Sequence, residues 1–230
     1  VANSGRGERI QFLTSPGRLR AMTALLLLAP GTPMLFQGQE FGASAPFHFF
    51  SDHEPELAGL VRKGRAKSLR QFPSLAAREM RAFFPDPGDG AVFARCKLDF
   101  GERERHRPVY ELHKDLLRLR REDAVFGSQR LGGQDGAVLA DECLLVRFFG
   151  EGEGDRLLLV NLGRDLHLPF APQPLLAPPA GHVWQLLWSS EHPRYGGAGT
   201  PPLETRDGWH IPGHAAVALR PVPREKEYHV

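Results

Sequence analysis

The sequence predicts an α/β segment followed by an all-β domain, and three observations carry that expectation. An apolar helix pattern over 16–28 runs through Pro30-Gly31-Thr32-Pro33 into a short apolar run, Met34-Leu35-Phe36. Residues 108–121 repeat apolar side chains at helical spacing. After Phe126 the texture changes to short β-type runs separated by Gly, Pro and Asp clusters.

Each element has a local cause. Ser15 is a candidate N-cap and Pro16 suits the first turn of a helix that carries Leu19, Met22, Thr23, Leu26 and Ala29 along one face. Leu25 to Leu28 make that helix apolar nearly all round, as in helices sandwiched against a sheet. The Met34-Leu35-Phe36 run reads as a buried parallel strand opening at Gln37-Gly38-Gln39-Glu40-Phe41-Gly42 into a functional loop. Residues 54–70 are helix-permissive with a basic, solvated face, and 75–83 form a second short helix ended by Phe84-Pro85-Asp86-Pro87. Val109, Leu112, Leu116 and Leu119 stripe the helix over 108–121, whose Arg-rich end suits the negative pole of its dipole. Strands are expected at 142–149, 156–161, 183–188 and 215–221, with a domain boundary near 122–130 and a charged tail over 222–230.

Composition narrows the classes. The 230 residues carry 29 Lys plus Arg against 27 Asp plus Glu and are 41% hydrophobic, which is globular composition with room for one or two cores. The balanced charges form no basic arm, so no nucleic-acid partner is expected. The longest apolar stretch, 24–29, is far below the roughly 18 residues of a membrane span, so no membrane partner is expected either. Two cysteines, Cys96 and Cys143, provide neither a disulfide framework nor a zinc pattern and fit a reducing compartment, which predicts a cytoplasmic location. With 25 Gly and 20 Pro and no period, the fold is expected to be loop-rich rather than a repeat. The chain opens on Val1 with no initiator Met and no apolar leader, which reads as an interior cut.

No Gly-rich phosphate loop, Gly-x-Ser-x-Gly elbow, Cys-x-x-Cys or His-Glu-x-x-His occurs, and His48/His53 and His106/His113 lack ligand spacing, so no metal is expected. The informative stretch is 40–53, where Phe41, Phe47, Phe49 and Phe50 lie between the carboxylates Glu40 and Asp52, followed by His53. Aromatic faces bind the C–H surfaces of sugars while carboxylates, amides and imidazoles bind their hydroxyls, so the stretch suits a saccharide cleft. The same phenylalanines equally suit a core under the loop.

Ala2-Asn3, Gly7-Glu8-Arg9 and the run from Gly31 to Gly42 resemble the last part of an α-amylase-type (β/α)8 TIM barrel. Pro46-Phe47-His48-Phe49-Phe50-Ser51-Asp52-His53, Val61-Arg62-Lys63-Gly64-Arg65, Pro85-Asp86-Pro87 and Lys97-Leu98-Asp99-Phe100 are most similar to the malto-oligosyltrehalose trehalohydrolase family. The resemblance covers 1–125 as the C-terminal part of the catalytic barrel; 126–230 resemble the following antiparallel β-sandwich in position and texture. It implies hydrolysis of the α-1,4 bond next to the trehalose end of maltooligosyl trehalose, or a related α-glucan, with no cofactor. The implied mechanism is retaining, with nucleophile and acid carboxyls roughly 5 to 5.5 Å apart.

In the family those two groups end earlier barrel strands, and the third acid lies in an Asn-His-Asp-Gln motif directly before the position of Val1. No catalytic residue is therefore expected in this chain, the isolated chain is expected to be inactive, and its partner is the upstream part of the same enzyme. Asn3, Gln37, Glu40, Phe50, Asp52 and His53 are the expected substrate-binding residues, and Arg9 is expected near them, pairing with a carboxylate. Glu40 and Asp52 as an acid–nucleophile pair is the weaker alternative, since the resemblance gives them substrate contact or loop ordering. Two further readings are a glycogen branching enzyme or other amylase-type transferase, and a non-catalytic glucan-binding module with Trp184, Trp188, Tyr195 and Trp209 as platforms. On strand alternation Trp184 and Trp188 share one face, as sandwich core or as sugar contacts.

Overall fold

The structure, a computed structural model, describes residues 7–72, 75, 84–128, 130, 132–151 and 154–224. Helices come first and antiparallel sheets follow. The chain forms two compact units, one from Val1–Thr14 with Gln37–His106 and the other from Ser15–Phe36 with Arg107–Val230. A boundary near 125 separates helical from β-rich sequence, whereas compactness groups two helices with the strands on which their apolar faces pack.

In the second unit, α1 spans Pro16–Leu28, and Ser15 Oγ accepts a hydrogen bond from Arg18 N at 3.2 Å. Its buried side is Ala21, Thr23, Ala24, Leu27 and Leu28; of the expected stripe Thr23 is buried, Leu19, Met22 and Ala29 are half-buried and Leu26 is exposed. The alanines leave room for close approach to α5 (Arg107–Glu122), on which α1 packs, and to the sheet. Leu112 and Leu116 of α5 enter the same core as expected, and Phe126 of α6 (Ala124–Ser128) meets Phe148 edge-on at 5.0 Å.

Among the described residues eight strands follow: β1 Gln134–Ala140, β2 Cys143–Phe148, β3 Arg156–Asn161, β4 Leu166–Leu168, β5 His182–Ser189, β6 Glu204–Thr205, β7 Gly208–Ile211 and β8 Ala215–Pro223. They form a five-stranded sheet in the order β1-β2-β3-β8-β5 and a three-stranded sheet in the order β4-β7-β6, with antiparallel pairing throughout. β2, β3, β5 and β8 lie where the sequence predicts them. β1, β4, β6 and β7 were not expected, since β1 carries Asp135 and Gly136 on an exposed edge and the other three are two to four residues long.

β3 and β8 are buried on both faces because each faces a different core. Leu158, Val160, Ala216 and Ala218 pack with α1 and α5, while Leu157, Leu159, Val217 and Leu219 pack with Trp209 and Ile211 of β7. Trp184 belongs to the second core and Trp188 to the first, so the expected shared face is wrong. A β-bulge between Leu186 and Trp188 inserts one residue and inverts the alternation. Both cysteines are buried and free, and burial pushes the Cys143 thiol up to about 11.

Met34–Phe36 is the clearest correction: it forms no strand, and Met34 and Phe36 are 86% and 41% exposed. A strand exists by ladder hydrogen bonds to a neighbouring strand, and no strand among the described residues is paired with this run.

The first unit contains α2 (Pro55–Leu69), α3 (Gly90–Cys96, capped by Asp89) and the single turn α4 (Glu102–Arg105). Arg62, Lys63, Lys67 and Arg70 form the expected solvated face of α2, while Arg65 is half-buried. The helix expected over 75–83 lies outside the described residues except for Leu75, which is buried. Among the described residues no helix is long and apolar enough to cross a membrane.

Candidate functional site

Apart from a short 3-10 turn at Gln39–Phe41, the loop from Gln37 to His53 is irregular backbone fixed at many points. Gly38 turns it in the left-handed region at φ 79°, and Ala43 N returns to Gly38 O at 2.8 Å. A Cβ at Gly38 would stand 2.7 Å from Ala43 Cβ, so both space and φ require glycine. Four side chains reach this turn from elsewhere in the unit. Arg9 donates to Gln37 O at 2.8 Å and to Ala45 O at 2.6 Å, closing the two ends of the turn together. Gln11 donates to Ala43 O at 2.7 Å, His106 Nδ1 to Phe41 O at 3.2 Å, and Glu102 accepts from Ser44 N at 2.9 Å. Backbone groups that a loop would otherwise leave to water are thereby satisfied internally.

Farther along, Phe47 N donates to Gly7 O at 3.1 Å, His48 N to Cys96 Sγ at 3.2 Å and Ser51 N to Pro87 O at 2.9 Å. The phenylalanines pack on one another: Phe50 meets Phe47 at 6.0 Å and Phe93 of α3 at 5.1 Å, both edge-on. The Arg65 guanidinium covers Phe49 at 4.7 Å from the ring centroid. Behind Phe49, a cavity of about 260 Å³ is bounded by Leu69, Phe84 and Pro85 and edged by Arg62 and Asp86, which pair at 2.8 Å.

The expected site residues therefore occupy different settings. Gln37 is exposed and its carbonyl is held by Arg9; Glu40 is half-buried and acts electrostatically on Arg9. Phe50 is half-buried in the aromatic cluster, and Asp52 and His53 are both exposed. No hydrogen bond or ion pair joins Glu40 to Asp52 among the described residues, and Asn3 lies outside them. Arg9 is 5% exposed and donates to the carbonyls of Gln37 and Ala45, with Glu40 and Glu102 as nearby acids, so it orders the loop. Glu102 and His106 carried no signal: Glu102-Arg103-Glu104-Arg105 reads as a solvated run, and only the fold carries Glu102 to Ser44.

The charges of this scaffold make the loop acid-sensitive. Burial raises the Glu102 carboxyl, but the hydrogen bonds from Ser44, with His106 and Arg105 nearby, outweigh it and hold it below the ordinary value of 4.5. Burial, followed by Arg95 and Arg65, holds His48 below 6.5. A depressed carboxyl stabilises the fold above its unfolded pKa and loses that contribution as pH falls through the folded one. A depressed imidazole acts in the same direction, because below its unfolded pKa the unfolded chain takes up a proton that the folded one refuses. Exchange of the Ser44 and His48 amides is expected to speed up below about pH 6.5 and again below about 4.5 beyond its intrinsic pH dependence. Glu102→Gln should remove the second step; an unchanged profile contradicts the assignment.

A family profile described as "Domain of unknown function (DUF3459)" matches residues 131–218, the region of the two sheets. A solved structure described as a putative alpha amylase from Salmonella typhimurium superposes with a TM-score of 0.70 at 25% identity, covering 96% of this chain and 33% of that one. The catalytic module of the pneumococcal glycogen-degrading factor SpuA superposes at 0.55 with 16% identity, covering 93% and 32%, which shows the fold alone. These likenesses are to the class of α-amylase-type structures, of which this chain spans about a third.

Within that class the likeness is to the malto-oligosyltrehalose trehalohydrolases, as the resemblance implied. That of Deinococcus radiodurans is 39% identical over 189 residues, covering 76% of this chain and 30% of the relative. That of Mycobacterium tuberculosis is 41% identical over 194 residues, covering 83% and 30%. The chain thus spans under a third of the length of these curated relatives.

Proposed function

We propose that the chain is the C-terminal part of a glycoside hydrolase that releases trehalose from maltooligosyl trehalose by cleaving the adjacent α-1,4-glucosidic bond with retention. Residues 1–125 are read as the end of its (β/α)8 barrel and 126–230 as its β-sandwich. The upstream part supplies the catalytic carboxylates, and this chain supplies a fixed loop at the barrel mouth. Gln37, Glu40, Phe50, Asp52 and His53 are assigned to substrate contact, with no cofactor, in a cytoplasmic enzyme. The likeness to the trehalohydrolases supports the activity. The single observation carrying the site is the loop pinned by Arg9, Gln11, Glu102 and His106, which leaves Asp52 and His53 exposed on a rigid base.

The test is a chimera in which this chain replaces the matching region of the Deinococcus radiodurans trehalohydrolase. There, Asp52→Ala is expected to raise KM about tenfold while kcat stays within about threefold, the mark of a binding group. A loss of many orders in kcat with KM unchanged would assign Asp52 to the chemistry and overturn this role.

A further inference from the structure

The inner face of edge strand β5 is only partly covered by the three-stranded sheet. What remains is an open groove of about 890 Å³, within the range of small-molecule sites. Its floor holds Trp184, Leu186, Leu203 and Trp209, and Pro178, Pro201 and Pro202 wall it. Leu186 is 44% exposed, so apolar floor is open to solvent. The rim is mixed: Gln185, Thr200 and Thr205 are neutral, Glu204 is acidic, and Arg206 and Arg224 are basic. Such a rim offers both donors and acceptors without a single-sign field, which suits hydroxyl groups better than an anion or a charged peptide.

Trp184 is prepared as a platform. Its Nε1 already donates to Leu176 O at 2.7 Å, so its polar edge is satisfied within the protein. The guanidinium of Arg147 lies 5.5 Å from the Trp184 ring, outside the groove wall, and is itself locked to the Asp155 carboxylate at 2.7 Å. An indole held from behind and at its edge loses little freedom when a ligand stacks on it.

We infer that this groove is a second, non-catalytic site for an α-1,4-linked glucan, in which Trp184 and Leu186 meet the C–H faces of the sugar rings and the rim meets their hydroxyls. The choice of glucan rests on the reading of the chain as part of an α-glucan hydrolase.

The experiment is a titration of the 230-residue chain with maltoheptaose, followed by calorimetry and tryptophan fluorescence. Saturable binding is expected, with Kd on the order of 1 mM. Leu186→Glu, at an exposed position, should weaken it at least about tenfold, and Trp184→Ala likewise, with near-ultraviolet circular dichroism reporting the fold of each. Lys63→Ala, on the exposed face of α2, should leave Kd unchanged. Absence of saturable binding, or binding of undiminished strength in Leu186→Glu, overturns the inference. Trehalose release by the chimera together with no binding here would remove this site alone, whereas binding without release would remove the hydrolase reading alone.

Discussion

Arg120→Ala is expected to destabilise the second unit by about 3 kcal/mol, the cost of leaving one buried and two partly buried carbonyls without their donor. Arg120 is 8% exposed on α5, and its guanidinium donates to Leu27 O at 2.8 Å, to Ala29 O at 2.9 Å and to Gly31 O. These carbonyls end α1, where the helix itself provides no partners and where Pro30 has no N–H to offer. The substitution should lower the melting temperature by about 6–12 °C. Arg120→Lys should recover less than half of this, because a single ammonium cannot span three acceptors as the planar fork does. A melting point shifted by less than about 2 °C in Arg120→Ala would show that these carbonyls find other partners.

The second large effect falls on the site. Arg9→Met removes the buried fork that ties Gln37 O to Ala45 O while keeping most of the side chain's volume. In the chimera it should lower trehalose release about 100-fold, since displacement of a substrate-positioning loop by about 1 Å costs that much. The amides of Gly42 and Ala43 should exchange faster in the same variant. Activity within about threefold of the parent, with exchange unchanged, would show that Gln11, Glu102 and His106 hold the loop without Arg9.

The parts legible in the sequence are those fixed by local rules. Ser15 and Pro16 start α1 where the capping pattern places them, and Leu112 and Leu116 mark the buried side of α5. The runs that become β2, β3, β5 and β8 are apolar enough to be recognised from residue type alone. Failures occur where a distant contact decides. The bulge between Leu186 and Trp188 sends Trp184 and Trp188 into different cores, and alternation by itself carries no sign of it. The apolar Met34–Phe36 run reads as a strand, but a strand is defined by a neighbouring strand, and none among the described residues is paired with it. At the candidate site, the aromatic and acidic content of 40–53 singles out the loop in the sequence, whereas its scaffold includes Gln11, Glu102 and His106, polar residues of ordinary sequence context that only the fold brings to it.

The most direct test of the account is an assay of three proteins on maltooligosyl trehalose: the chain alone, the Deinococcus radiodurans trehalohydrolase cut back to exclude the matching region, and the chimera. No trehalose is expected from either part, and catalytic trehalose release is expected from the chimera. Trehalose release by the chain alone, or a folded chimera that releases none, would contradict it.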